Sequence, residues 1–285
     1  MSRTVALVTD STALLPREVT DERDIEVVPL QVVIGAASYD EGVHREASSS
    51  TVAAALREWT PVSTSRPTPA VFQAAYERAH ERGAKEVLSI HLSGDLSGTF
   101  ESAQLAAREA SLPVRAIDSR QLGMGTGFAV LTAADVLDRG GSAEEAAGAA
   151  LARADATTSL FYVDTLEYLR RGGRIGAAAA MFGSALAVKP LLEIVGGKIG
   201  PREKVRTASR ALSRLEELAV TAAENRAVDV AVAHLANPDR AEALAAHLRE
   251  RLADQLCGEV WLGEVGAVIG AHVGPGMVAV VVAPR

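Results

Sequence analysis

Val87-Leu88-Ser89-Ile90-His91-Leu92-Ser93-Gly94-Asp95-Leu96-Ser97-Gly98-Thr99 decides how the first half of this chain folds. The apolar, β-branched run at 87–91 reads as a buried strand, and the Ser/Gly/Asp-rich turn after it leads into a helix beginning near Thr99. Strand, loop, helix is the repeating unit of a parallel α/β layer. Outward from it the same alternation recurs. Residues 5–9, 25–34 (with Pro29 inside) and 114–117 read as further extended stretches. Residues 50–59, 69–82 and 126–139 carry helical spacing, the second opened by Thr68 as N-cap and Pro69 in the first turn.

Gly140-Gly141 interrupt this pattern before a helix at 142–154 that reads as a connector. The expected boundary lies there, giving an N-terminal domain over 1–155 and a C-terminal domain over 156–285. Beyond it come a strand at 159–163, a helical region from 165 to about 192, and a Gly196-Gly197 hairpin turn. A helix at 207–225, a strand at 228–233, a helix at 238–255 and two strands around Gly274-Pro275-Gly276 complete the pattern. The fold expected is α/β in two lobes, an N-terminal parallel-sheet, Rossmann-like domain and a C-terminal mixed α/β domain.

At 285 residues the chain is long for one core, which favours two lobes over one. Apolar residues make up 48% of it and aromatics only 4%, so any interior has smooth aliphatic walls that suit an alkyl ligand. The formal net charge of −7 argues against a nucleic-acid binder, which needs a basic field. Cys257 is the single cysteine, so neither an internal disulfide nor a cysteine metal site is expected, and a cytoplasmic setting is the default. The most apolar later stretch, 175–188, falls short of the roughly 20 residues of a membrane span and is expected to be buried in protein. No stable membrane insertion is expected.

Three segments carry chemistry. The turn Ser93 to Thr99 gathers hydroxyls and free amides at the positive end of a helix, the makings of an anion site. Ser63-Thr64-Ser65 forms a second hydroxyl cluster, which by itself reads as a polar turn. In a parallel α/β sheet the loops at the carboxyl ends of strands share one edge, so this cluster and the Ser93 loop are expected to converge. Near the C-terminus, Ile269-Gly270-Ala271-His272-Val273-Gly274-Pro275-Gly276 sets a histidine among glycines, whose imidazole either donates to an anion or, as is commoner for a lone histidine, bonds a neighbouring carbonyl in a turn. Asp10 and Asp118 are each followed by a serine and read as loop ties through side-chain to backbone bonds.

Val8-Thr9-Asp10-Ser11-Thr12-Ala13, Pro29-Leu30, Tyr39-Asp40-Glu41-Gly42, Thr64-Ser65-Arg66-Pro67, Leu96-Ser97-Gly98-Thr99-Phe100, Ile117-Asp118-Ser119, Thr165 to Ile175 with its Arg170-Arg171-Gly172-Gly173-Arg174, Lys189-Pro190, Lys204-Val205-Arg206 and His272-Val273-Gly274-Pro275-Gly276 follow one another across both lobes. In order and spacing they resemble the DegV family. The resemblance implies a non-catalytic, lipid-binding protein that encloses one long-chain fatty acid such as palmitate in a tunnel and serves as the binding subunit of a bacterial fatty acid kinase. Its implied partners are the fatty acid, a separate ATP-dependent kinase chain and an acyltransferase that receives the acyl phosphate, with no other cofactor and no metal. The implied ligand contacts are Thr64 with Ser65, Ser93 or else Ser97 with Gly94, and His272; Arg174 supports the head group. Two departures stand out: Ser93-Gly94 replaces a pair of serines, and Arg66 replaces a glutamine. Enclosing about fourteen methylenes is worth on the order of 11 kcal/mol before the costs of immobilisation. The basic residues Arg202, Lys204, Arg206, Arg210, Arg214, Arg170 and Arg171 suit an acidic partner surface, although for Arg210 and Arg214 a solvated helix face is the better reading.

Two other readings compete. A serine hydrolase acting on acyl esters would pair Ser97 with His272 and one of Asp10, Asp118 or Asp164, but Gly94-Asp95-Leu96-Ser97-Gly98 lacks nucleophile-elbow spacing. A nucleotide binder is suggested by Gly123-Met124-Gly125-Thr126-Gly127, whose third glycine comes one residue early for a dinucleotide fingerprint. Close helix packing, or a face turned to the ligand, accounts for these glycines better.

Overall fold

The computed structural model describes residues 3–176, 178, 180 and 189–285. From the N-terminus the elements are β1 (Val5–Asp10), α1 (Arg17–Glu22), β2 (Ile25–Val28), β3 (Gln31–Ile34), β4 (Ala37–Asp40), α2 (Ser49–Arg57), β5 (Val62–Ser65), α3 (Pro69–Glu81), β6 (Glu86–His91), α4 (Thr99–Ala107), β7 (Val114–Asp118), α5 (Met124–Asp138) and α6 (Ala143–Ala156). Then follow β8 (Thr158–Tyr162), α7 (Glu167–Arg171), β9 (Lys189–Val195), β10 (Lys198–Val205), α8 (Ala208–Ala223), β11 (Val228–His234), α9 (Pro238–Arg251), β12 (Trp261–Glu264), α10 (Ala267–Val273) and β13 (Val278–Pro284).

The first compact unit comprises residues 1–31 and 65–155. Its sheet is parallel, in the order β2-β1-β6-β7. Alternation along the strands sends side chains to both faces. Leu7, Leu88, Ile90 and Ile117 meet the alanine-rich α5 and α6 on one side. Val8, Val28 and Val87 meet Phe72, Ala75 and Tyr76 of α3 and Ala103 and Ala106 of α4 on the other. A parallel sheet covered on both faces needs mostly apolar strands, which is why Val87, Leu88 and Ile90 face the two layers while Ser89 and His91 must find buried polar partners.

The second unit comprises residues 32–64 and 156–285. A six-stranded mixed sheet runs β10-β9-β8-β13-β11-β12, and a three-stranded sheet runs β4-β3-β5. Tyr162, Val230, Val232, Val278, Val280 and Val282 form one core with Leu215 and Leu218 of α8 and Leu244 and Leu248 of α9. Gly196 and Gly197, at φ +57° and +84°, make the two-residue turn of the β9–β10 hairpin, where positive φ at both positions matches the strand twist. Val32, Val52 and Leu56 join Ala267 and Ala271 of α10 in a separate cluster.

A single cut after residue 155 does not describe these units, because 32–64 packs with the second. The expected extended stretch at 25–34 is two strands in two sheets, parted at Pro29, which has no N–H to continue a ladder. Of the helical region expected from 165 to about 192, α7 covers Glu167–Arg171 and the end is strand β9. The apolar stretch 175–188 lies largely outside the described residues. One of the two strands expected around Gly274-Pro275-Gly276 is a helix: α10 ends at Val273 and only β13 follows. No described helix is long and apolar enough to cross a membrane.

Candidate functional site

Thr64 and His272 are 208 residues apart in sequence, yet Thr64 Oγ1 lies 2.8 Å from His272 Nε2. Strand alternation prepares one half of this pair. Val62 packs on the cluster around α10, and Thr64, two residues on, shares its face, while Ser63 and Ser65 are exposed. The other half comes from α10, six of whose seven residues are buried apolar or glycine positions, with His272 in its last turn.

Glycines let other groups approach this helix. A Cβ on Gly172 would come 2.2 Å from His272 Nδ1, and a Cβ on Gly274, at φ +73°, would come 2.0 Å from the Tyr168 ring. Burial, with the Arg174 guanidinium adding to it, lowers the His272 pKa to about 4, so the ring is neutral near pH 7. Its Nδ1 is buried and has no hydrogen-bond partner among the described residues. Arg174 is exposed and donates from Nη1 to the carbonyl of Gly172 at 2.6 Å, which ties it to the turn against the imidazole.

Ser93, Gly94 and Ser97 stand in the first unit, after β6. Ser93 is fully buried, donates its N–H to Gln121 O and accepts from the Asp95 amide at its hydroxyl. Gly94 is exposed and donates its amide to Asp118 Oδ2 at 3.2 Å. Ser97 pairs with the Thr99 hydroxyl at 2.9 Å. Arg66 is spent on Glu101 Oε2 at 2.6 Å and on the Gly98 carbonyl. Contrary to expectation, Thr64 and this loop do not follow strands of one sheet, since β5 belongs to a different sheet from β6.

Asp10 and Asp118 tie loops as expected. Asp118 accepts from the Gly94 and Arg120 amides, and Asp10 accepts from the amides of Thr12 and Leu92. Sequence reading missed the network around Asp10. Asp10 Oδ2 lies 2.9 Å from His91 Nδ1, His91 Nε2 lies 2.7 Å from Ser89 Oγ, and Ser89 Oγ lies 3.0 Å from the Tyr76 hydroxyl, all buried. Burial pushes the Tyr76 phenol up to about 12. The available signal was the i, i+2 polar pair Ser89 and His91 in an otherwise apolar strand. Gly123 and Gly127 serve packing: a Cβ on Gly127 would meet the Ala13 carbonyl at 2.6 Å. Much of the basic run is neutralised, Arg214 by Glu203 and Glu217, Arg202 by Glu193 and Arg171 by Glu167.

Known proteins are similar to this chain in sequence and fold over its whole length. The sequence profile of the DegV family, described as one of uncharacterised proteins, matches residues 4–285. A DegV domain-containing protein of Streptomyces coelicolor is 54% identical over 100% of both chains. Protein DegV of Bacillus subtilis is 35% identical over 97% of this chain and 98% of its own. Among solved structures, a DegV family protein from Thermus thermophilus described for its fatty acid binding superposes with a TM-score of 0.92 at 32% identity, covering 100% of each chain. DegV of Bacillus subtilis, described as a fatty acid binding protein, gives 0.88 at 32% identity, again with both chains fully covered. The chain belongs to the DegV family.

Proposed function

We propose that this chain binds a long-chain fatty acid and holds its carboxylate with the Thr64–His272 pair. The observation that carries the reading is that pair, assembled across 208 residues around a neutral imidazole, in a chain whose 32%-identical structural neighbours bind fatty acids. With the ring neutral, Nε2–H donates to Thr64 Oγ1, and the Thr64 hydroxyl proton is then available to the carboxylate. A carboxylate taken out of water without donors would protonate, so such a pair keeps it ionised. Arg174 supplies positive charge beside it. The Ser93 loop, with Gly94 and Ser97, is proposed as an anion-binding element of the first unit, and Ser65 as an exposed neighbour of Thr64.

The bound acid is presented to a separate kinase that brings ATP. The carboxylate oxygen attacks the terminal phosphorus, the bond from that phosphorus to the bridging oxygen breaks, and ADP leaves as acyl phosphate forms. This chain binds, orients and shields; an acyltransferase consumes the product.

Mass spectrometry of an organic extract from the purified protein is expected to release one fatty acid per chain. In a reconstituted assay with the kinase, Thr64→Ala and His272→Ala are expected to lower phosphorylation of bound acid more than they lower stability. A protein free of lipid that takes up none on incubation, or variants as active as the parent, would refute the reading.

A further inference from the structure

Tyr39-Asp40-Glu41-Gly42 has no place in the reading above, yet Glu41 lies at the other end of the helix that carries His272. The Glu41 side chain is buried, and its Oε1 accepts from the Val268 amide at 2.8 Å, in the first turn of α10. A carboxylate there satisfies an amide the helix cannot pair itself and meets the positive end of the peptide dipoles. The approach is close: a Cβ on Gly266 would come 2.2 Å from Glu41 Oε1. Ser49 reinforces it by donating to the Val265 carbonyl at 2.6 Å, and Val52 and Leu56 pack along α10. One segment, 32–64, therefore grips α10 at its start through Glu41, along its side through α2, and at its end through Thr64.

We infer that Glu41 is a positioning residue for His272, setting the register of α10 so that the imidazole meets Thr64. Val268 and His272 are four residues apart and share a helix face, so an anchor on the Val268 amide fixes the height and rotation of the histidine one turn later. A hydrogen bond of 2.8 Å between Thr64 and His272 is lost once the ring moves by about 0.7 Å. Val52 and Leu56 pack the side of α10, and the buried anchor at its N-terminus adds a directional bond that fixes its height. The ligand consequence rests on the fatty-acid reading; the register itself does not.

The test uses the full chain, delipidated and retitrated with palmitate, together with nitrogen-15 resonances of the His272 ring. Glu41→Ala is expected to move those resonances and to weaken palmitate binding on the order of tenfold or more. Glu41→Gln, which still offers an oxygen to the Val268 amide, is expected to stay within about threefold of the parent. Gly266→Ala keeps the carboxylate but drives it off its position, and is expected to act like Glu41→Ala; it serves if Glu41→Ala does not fold. Val130→Ala, a core change in the first unit, is expected to lower the melting temperature without moving the His272 resonances. Unmoved His272 resonances in both Glu41→Ala and Gly266→Ala would overturn the inference, as would shifts of the same size in Val130→Ala. If the parent fails to bind palmitate, the fatty-acid reading falls, while the resonances still decide the role of Glu41.

Discussion

A histidine that burial holds near pKa 4 is a stability element with a definite pH signature. Unfolded, its imidazole titrates near its ordinary value of about 6.5, so the unfolded chain takes up a proton that the folded one refuses. The contribution of His272 is therefore complete above that value and falls away as pH drops toward 4, by on the order of 2–3 kcal/mol in all. Urea unfolding of the parent and of His272→Gln is expected to give curves that diverge at pH 7 and converge toward pH 4.5; parallel curves would remove the assignment of a neutral ring. Gly172→Ala tests the same residue from the other side. Its Cβ falls 2.2 Å from Nδ1, so the imidazole must leave Thr64 or the turn must shift, at a cost of about 1–3 kcal/mol. Thermal melts check the stability loss, and the His272 ring resonances check the displacement. That other groups come close to His272 was legible in its glycine surroundings, whereas the contacts of Gly172 and Glu41 were not, since each meets an atom far away in sequence.

At the scale of elements, β6 shows how one strand can serve the core and a polar network together. Val87 faces one layer and Leu88 and Ile90 the other, while Ser89 and His91 carry the chain of bonds from Tyr76 to Asp10. Asp10 also holds the Leu92 amide, so the strand end that leads into the Ser93 loop is fixed from below. Asp10→Ala strands the His91 ring nitrogen and two backbone amides in a dry interior, and is expected to cost about 3 kcal/mol or more. Chemical denaturation checks the magnitude, and hydrogen exchange at Leu92 and Ser93 is expected to quicken. Apolar periodicity made β1, β6 and the helices α3 to α6 of the first unit readable, but not the short α1. The elements misread, the strand at Lys189–Val195 and the segment before Gly274, are those in which apolar runs are too short for period alone to separate helix from strand.

At the scale of the molecule, the second unit borrows 32–64 from the first half of the chain. Residues 156–285 alone would expose the faces of Ala267 and Ala271 that Val32, Val52 and Leu56 cover. Leaving those three large side chains out costs about 1.5–3 kcal/mol each. That fragment is expected to bind a hydrophobic dye and melt broadly, while a version with 32–64 joined to it is expected to melt cooperatively at higher temperature. Ligand linkage acts on the whole chain as well. On the proposed fatty-acid reading, free acid at 100 times its dissociation constant adds about 2.7 kcal/mol to the folded state, so delipidation is expected to lower the melting temperature by several degrees and palmitate to restore it.

The linear order of residues was enough to determine the parallel sheet of the first unit, the Gly196-Gly197 hairpin and the family to which the whole belongs. Those features rest on spacing, capping and turn chemistry, which act over a few residues and leave their mark in the local pattern. Only the folded structure decided that β5 leaves the parallel sheet, that 32–64 packs on α10, and that Thr64 meets His272. Such pairings depend on which apolar faces cover one another, a property of the assembled chain that no short stretch of it encodes.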